Sequence, residues 1–142
     1  MRFTTKGRYA LRATIALAQM AKEDKMITLN AISDAENISH VFLEQIFFKL
    51  KKAGIVKSVR GPAGGFSFNR PIDSLTVKEI MDAAGEEMTM LPCDRNKAKC
   101  ERRSECISHK LIVMTTELVN NYLNGITLKA LLEKEEFKPI QG

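Results

Sequence analysis

Apolar side chains recur at helical spacing up to Ala53, and after Gly54 two short β-prone runs of period two take over; this change of period restricts the fold more than any other feature of the sequence. Before the change, Leu43, Ile46, Phe47 and Leu50 stand at i, i+3, i+4 and i+7. That is the stripe of an amphipathic helix, with Ser39 as its N-cap and Ala53-Gly54 as its stop. After the change, "IVKSV" and "FSFNR" flank the turn "RGPAGG", a pattern that predicts a β-hairpin. Two helices are expected upstream. One runs from Thr5 to Lys22, capped by Thr4 or Thr5 and broadly buried through Tyr9, Leu11, Ala13, Ile15, Ala16, Leu17 and Met20. The other is short, capped by Thr28, carries Leu29, Ile32 and Ala35, and ends in "ENIS".

Downstream, "SLTVKEIMDAAG" predicts a helix capped by Ser74 or Thr76 and closed by Gly85. Residues 86–103 have no period and much charge, as a loop would. A long helix follows from Ser104 or Ser108 to Leu123, with Leu111, Met114, Thr115, Leu118 and Tyr122 on one side. Asn124-Gly125 ends it, and Thr127 can cap a last helix through Glu133. Met81, Met88, Met90 and Met114 read as core side chains. The expected class is mainly α with a small β-hairpin wing: a winged helix-turn-helix followed by a long C-terminal helix.

In that arrangement the third helix enters the major groove of DNA. With its stripe turned inward, His40, Val41, Glu44, Phe48, Lys51 and Lys52 form the outward face. Ser39, His40, Val41, Glu44 and Gln45 are best placed for base edges, and Lys49, Lys51 and Lys52 for phosphates. The alternative is a plain amphipathic helix with a solvated basic edge. The Gly-rich turn is not a phosphate loop, because a strand follows it and no "GK[ST]" is present. As a wing tip it would take positive backbone angles from Gly64 and Gly65, pack Val56, Phe66 and Phe68 downward, and leave Arg60, beside Gly61, free to enter a minor groove.

Charge agrees with a nucleic-acid partner. Residues 1–60 hold 11 Lys/Arg against 5 Asp/Glu, whereas residues 61–142 hold 11 against 12, so the overall charge of +5 is concentrated in the N-terminal part. The N-terminal stretch lacks the pattern of a signal peptide, and no apolar run is long enough to span a bilayer, so a soluble cytoplasmic protein without membrane association is expected. No nucleophile and base, carboxylate dyad or cofactor fingerprint suggests an enzyme.

The three cysteines, Cys93, Cys100 and Cys106, fall within one short segment that also contains His109. Three thiols and an imidazole make a four-ligand set, and Cys106 and His109 at i, i+3 would share a helix face. Arg95, Lys97, Lys99, Arg102, Arg103 and Lys110 surround them and favour thiolate over thiol. Soft ligands of this kind suit zinc or an iron-sulfur cluster, and the spacing does not choose between them. His40 lacks such neighbours and reads as a DNA-facing or solvent-facing residue. The apolar side of the long helix reads as a dimerisation surface, which would let two copies occupy two half-sites. The alternative is that it folds back on its own domain.

The segments "MRFTTKGRYALRA", "ISHVFLEQIFFKLKKAGIVKSVRGPAGGF" and "NGITLKALL", together with the cysteines, cover nearly the whole chain. In them the sequence resembles the IscR-type regulators, bacterial winged-helix transcription factors related to the nitric-oxide sensor NsrR. The resemblance implies a homodimer on a pseudo-palindromic double-stranded DNA operator. It also implies a 2Fe-2S centre on Cys93, Cys100, Cys106 and His109, and DNA contacts from the third helix and Arg60. The sequence departs from the pattern in three places. The first cysteine gap has six residues rather than five, Val41 stands where close relatives carry a small polar residue, and Arg8 stands where NsrR-like members place an acidic ligand. The domain organisation expected on this basis is a DNA-binding domain over 1–85, a cysteine-containing cluster loop over 86–107 and a dimerisation helix with a C-terminal helix over 108–142. Rival readings of the cysteines are a zinc site, a bare thiol switch, or a metal or electron carrier that merely contains a helix-turn-helix.

Overall fold

The computed structural model of the chain describes residues 3–21, 25–88 and 100–133. In chain order the elements are α1 (Thr5–Met20), α2 (Leu29–Glu36), α3 (His40–Lys52), β1 (Val56–Val59), β2 (Gly65–Phe68), α4 (Val77–Ala83), α5 (Ile107–Asn124) and α6 (Leu128–Glu133). The helices begin where short polar side chains can accept from orphan backbone N–H groups. Thr4 accepts from Gly7, Thr28 from Ala31, Ser39 from Phe42 and Thr127 from Ala130. At α4 the cap is reciprocal: Thr76 accepts from the Glu79 N–H while the Glu79 carboxylate accepts from the Thr76 N–H at 2.9 Å. The long helix differs from expectation. It starts at Ile107 with Cys106 at the cap position, where no side chain bonds the first turn.

The inward stripe of α3 is fully realised, with Leu43, Phe47 and Leu50 at 0% exposure. They pack with Ala10 and Leu17 of α1, Ile32 of α2, Ile80 of α4 and Leu128 of α6 in one cluster. A second cluster joins Val77, Met81 and Met88 to Leu123 and Ile126 at the end of α5. The last helix is thereby stitched to the head, since the N–H groups of Val77 and Leu128 donate to Ile126 and Leu75. Two apolar expectations fail: Ala35 lies on the solvent side of α2, and Met114 is 67% exposed. Met90 lies outside the described residues.

The hairpin pairs Val56 with Phe68 and Val59 with Gly65. Sequence reasoning missed its third partner. Ile27 exchanges two backbone hydrogen bonds with Phe66, at 2.9 and 2.7 Å, and so ties the loop before α2 to the wing. The glycine assignment also needs correction. Positive φ falls at Gly61 (111°) and Gly65 (147°), not at Gly64. Gly64 is required for space instead, because a Cβ there would lie 2.2 Å from the carbonyl oxygen of Val59.

The Glu79 carboxyl is held below the ordinary carboxylate range, first by the Thr76 N–H and then by the Arg70 guanidinium at 2.9 Å. A depressed folded-state value means that the contribution is present at neutral pH and is lost as the pH falls through that value. Glu79→Gln should therefore be less stable than the parent at pH 7 and converge with it in acid. Parallel melting curves that never converge between neutral pH and strong acid would refute this.

Candidate nucleic-acid interface and thiol segment

Helix α3 presents one side to the core and the other to solvent. Ser39, His40, Val41, Glu44, Gln45, Lys49, Lys51 and Lys52 are all exposed. The Ser39 hydroxyl is engaged in capping through the Phe42 N–H at 3.2 Å. His40 and Glu44, one turn apart, approach to 3.4 Å between Nδ1 and Oε1, so the imidazole lies beside the carboxylate that sequence reasoning assigned to bases. Lys49 Nζ reaches the Ala84 carbonyl at 3.5 Å. Lys51 Nζ donates to Ser58 Oγ at 2.7 Å, joining the helix directly to β1. Beneath this link Phe47 and Phe66 meet edge to face with centroids 4.9 Å apart. Helix and wing are thus coupled by a polar contact at the surface and an aromatic contact in the core. Arg60 and Gly61 are exposed at the start of the turn, and the positive φ of Gly61 bends the chain directly after the arginine.

Val41 and Phe48 are 65% and 69% exposed on the same helix. Phe48 belonged to the expected outward face but was not counted among the DNA-contacting residues. Its apolar chemistry gave no signal for phosphate or hydrogen-bonded base contact.

The thiol segment is described in part. Cys93 lies outside the described residues. Cys100 is exposed, and Cys106 sits half-buried at the start of α5. The Cys106 thiol is made more acidic than usual, chiefly by the Ser108 hydroxyl at 3.1 Å and then by the His109 backbone N–H. His109 is buried in the first turn of α5, and its Nε2 accepts from Arg103 Nε at 3.2 Å. Among the described residues no three donors converge on a point suited to a metal ion. The chemistry of the set nevertheless fits a soft metal centre: two thiols, one of them acidified, and an imidazole one turn away, in a basic surround.

Residues 3–134 match a family model described as an iron-dependent transcriptional regulator, Rrf2. The chain belongs to the Rrf2 family. The HTH-type transcriptional regulator IscR of Klebsiella pneumoniae strain 342 is 36% identical over 142 residues, covering 100% of this chain and 86% of the relative. Among solved structures, IscR of T. potens superposes with a TM-score of 0.76 at 28% identity, covering 100% of this chain and 94% of that one. The oxidized form of Staphylococcus aureus CymR superposes with a TM-score of 0.71 at 28% identity, covering 94% and 97%. This Rrf2 protein is therefore a DNA-binding transcriptional regulator of IscR type with a winged-helix head. Among its described residues, no helix is long and apolar enough to cross a membrane.

Proposed function

We propose that the protein is a homodimeric regulator that grips a pseudo-palindromic operator under the control of an iron-sulfur centre held by Cys93, Cys100, Cys106 and His109. The observation that carries this reading is the double use of α5. Its N-cap is Cys106, its first turn bears His109, and its length bears Ile107, Leu111, Met114, Leu118 and Tyr122, all exposed large apolar side chains. Such a face is costly to leave in water and suits a second copy of the same helix. Ligation at one end of α5 then acts on the element that sets the spacing of two heads. By linkage, ligand occupancy and operator affinity must influence each other with equal strength.

In this reading Ser39, His40, Val41, Glu44 and Gln45 face bases, Lys49, Lys51 and Lys52 face phosphates, and Arg60 with Gly61 enters the minor groove. When bound, a 2Fe-2S centre would supply a redox-sensitive, oxygen-labile charge at the head of α5. The chain's own part is to present deprotonated sulfur, which the Ser108 hydroxyl favours at Cys106, and to fix the His109 ring against Arg103. A thiol-redox switch at the same residues is the second reading. It is favoured by the exposure of Cys100, by the acidity of Cys106 and by the likeness to a CymR crystallised in an oxidized form.

Protein purified without oxygen should be coloured and carry about two iron and two sulfide per chain, and Cys100→Ala should lose both together with the metal-dependent change in operator affinity. Colourless protein with zinc, or metal-free protein whose operator affinity changes with thiol oxidation, would replace the cluster reading by one of its rivals.

A further inference from the structure

The outermost line of α3 carries two exposed apolar side chains where a DNA-facing helix is usually polar. Val41 and Phe48 are seven residues apart, hence two turns apart on one side, with Gln45 between them and Lys52 a turn beyond. This line lies opposite the buried Leu43 and Leu50. A single exposed apolar residue needs no explanation. Two aligned along the crest of a helix whose last turn carries Lys49, Lys51 and Lys52 match a partner that is anionic at its rims and apolar at discrete points inside. The major groove is such a surface. Phosphates line its edges, and the 5-methyl group of thymine is the apolar feature on its floor.

We infer that Val41 and Phe48 read thymine methyl groups at two positions of the operator half-site, with Gln45 suited to an adenine between them. This deepens the reading of α3 as the groove-entering helix and rests on it. Seven residues of helix rise about 10 Å. At a base-pair rise of about 3.4 Å, the two thymines then lie no more than about three base pairs apart. Phe48 is the larger contributor, because its ring can cover a methyl group and the adjoining sugar, whereas Val41 meets a methyl edge to edge. Glu44 and Lys51 lie beside this line on the wing side, so the apolar readout does not compete with theirs.

The test uses the full chain and a duplex pool that the parent protein selects from a random-sequence library. The pool is amplified twice, once with thymidine and once with deoxyuridine triphosphate, so that pairing is preserved and only the methyl groups are lost. Each methyl contact is about a fourfold effect, so the parent should bind the uracil pool about tenfold or more weakly. In Val41→Ala and Phe48→Ala the difference between pools should shrink, and in the double variant it should fall to about twofold or less. Melting temperatures equal to the parent's would show that the variants are folded. Equal affinity of the parent for both pools would overturn the inference, and so would an undiminished uracil penalty in the double variant, which would mean that the methyls act through DNA shape. Failure of the parent to enrich any sequence is a separate outcome. It would sink the groove-reading assignment of α3, and this inference with it.

Discussion

Phe47→Ala should lower stability by about 3–5 kcal/mol, whereas Phe48→Ala, one residue along, should change it by no more than about 0.5 kcal/mol. The two phenylalanines are chemically identical and adjacent, and only the helix turn between them separates their fates. Phe47 is at 0% exposure in the main cluster and stacks edge to face on Phe66, so its loss leaves a cavity that several helices and the hairpin would have to fill. Against a typical domain stability of about 5–15 kcal/mol, this is a large fraction. The cavity lies at the junction of α3 and β2, so the wing should also loosen relative to the helix. Amide exchange at Phe66 and at Ile27, which pairs with it, should accelerate more than exchange in α1. Urea unfolding of both variants checks the energies. A loss below about 1.5 kcal/mol at Phe47, or above that at Phe48, would mean that the two faces of α3 are wrongly assigned.

The fold was largely legible because most of its determinants are short-range. A cap needs only a Ser or Thr and an N–H two or three residues on; Thr28, Ser39 and Thr127 stand where sequence spacing puts them, and Thr4 and Thr76 are each one of two candidates it offers. The stripe of α3 and the alternation of the hairpin are likewise written within a dozen residues. What escaped depends on distant neighbours. The pairing of Ile27 with Phe66 has no local signature, and neither has the crowding of Gly64 by the Val59 carbonyl, which makes it a glycine without the positive φ expected of it. The Gly65 backbone must pass close to Ile27, and only the observed backbone path reveals that. Met114 follows the helical period correctly yet is exposed, because periodicity identifies an apolar face without saying what covers it. On α3, helical spacing alone places His40, Val41, Glu44, Phe48, Lys51 and Lys52 on the outward face, and all six are exposed; Phe48 is left out of the candidate DNA contacts because it offers neither charge nor a hydrogen bond. The candidate ligands Cys93, Cys100, Cys106 and His109 can be named from composition and spacing, but the gaps between the cysteines do not dictate a path that would bring them together.

Gly7→Ala should destabilise the parent by about 1–3 kcal/mol and stabilise Glu86→Ala. Gly7 is inside α1 with ordinary helical backbone, where exchange to alanine normally gains about 0.5–1 kcal/mol. Here the gain is blocked by a residue 79 positions away, 86 − 7, that the sequence gave no reason to place there. The Glu86 side chain, 3% exposed, lies over the start of α1 and accepts from both the backbone N–H of Thr4, at 2.9 Å, and its hydroxyl. The same hydroxyl accepts from the Gly7 N–H, so one chain of hydrogen bonds runs from the helix interior to the carboxylate. The carboxylate also meets the positive end of the α1 dipole. A Cβ on residue 7 would stand 2.3 Å from Glu86 Oε2. The carboxylate would have to withdraw and strand the Thr4 donors, or the helix would have to shift; either costs more than the propensity gain. Glu86→Ala alone strands the same donors and should cost about 1–3 kcal/mol. With the carboxylate gone, however, residue 7 has room, and alanine there recovers its usual advantage. The sign of the Gly7→Ala effect therefore depends on residue 86, and a double-mutant cycle reads that dependence as a coupling energy. Additive effects, or a Gly7→Ala change of the same sign in both backgrounds, would rule out the contact. If the coupling is found, the chain just after α4 is pinned to the start of α1 through one buried carboxylate.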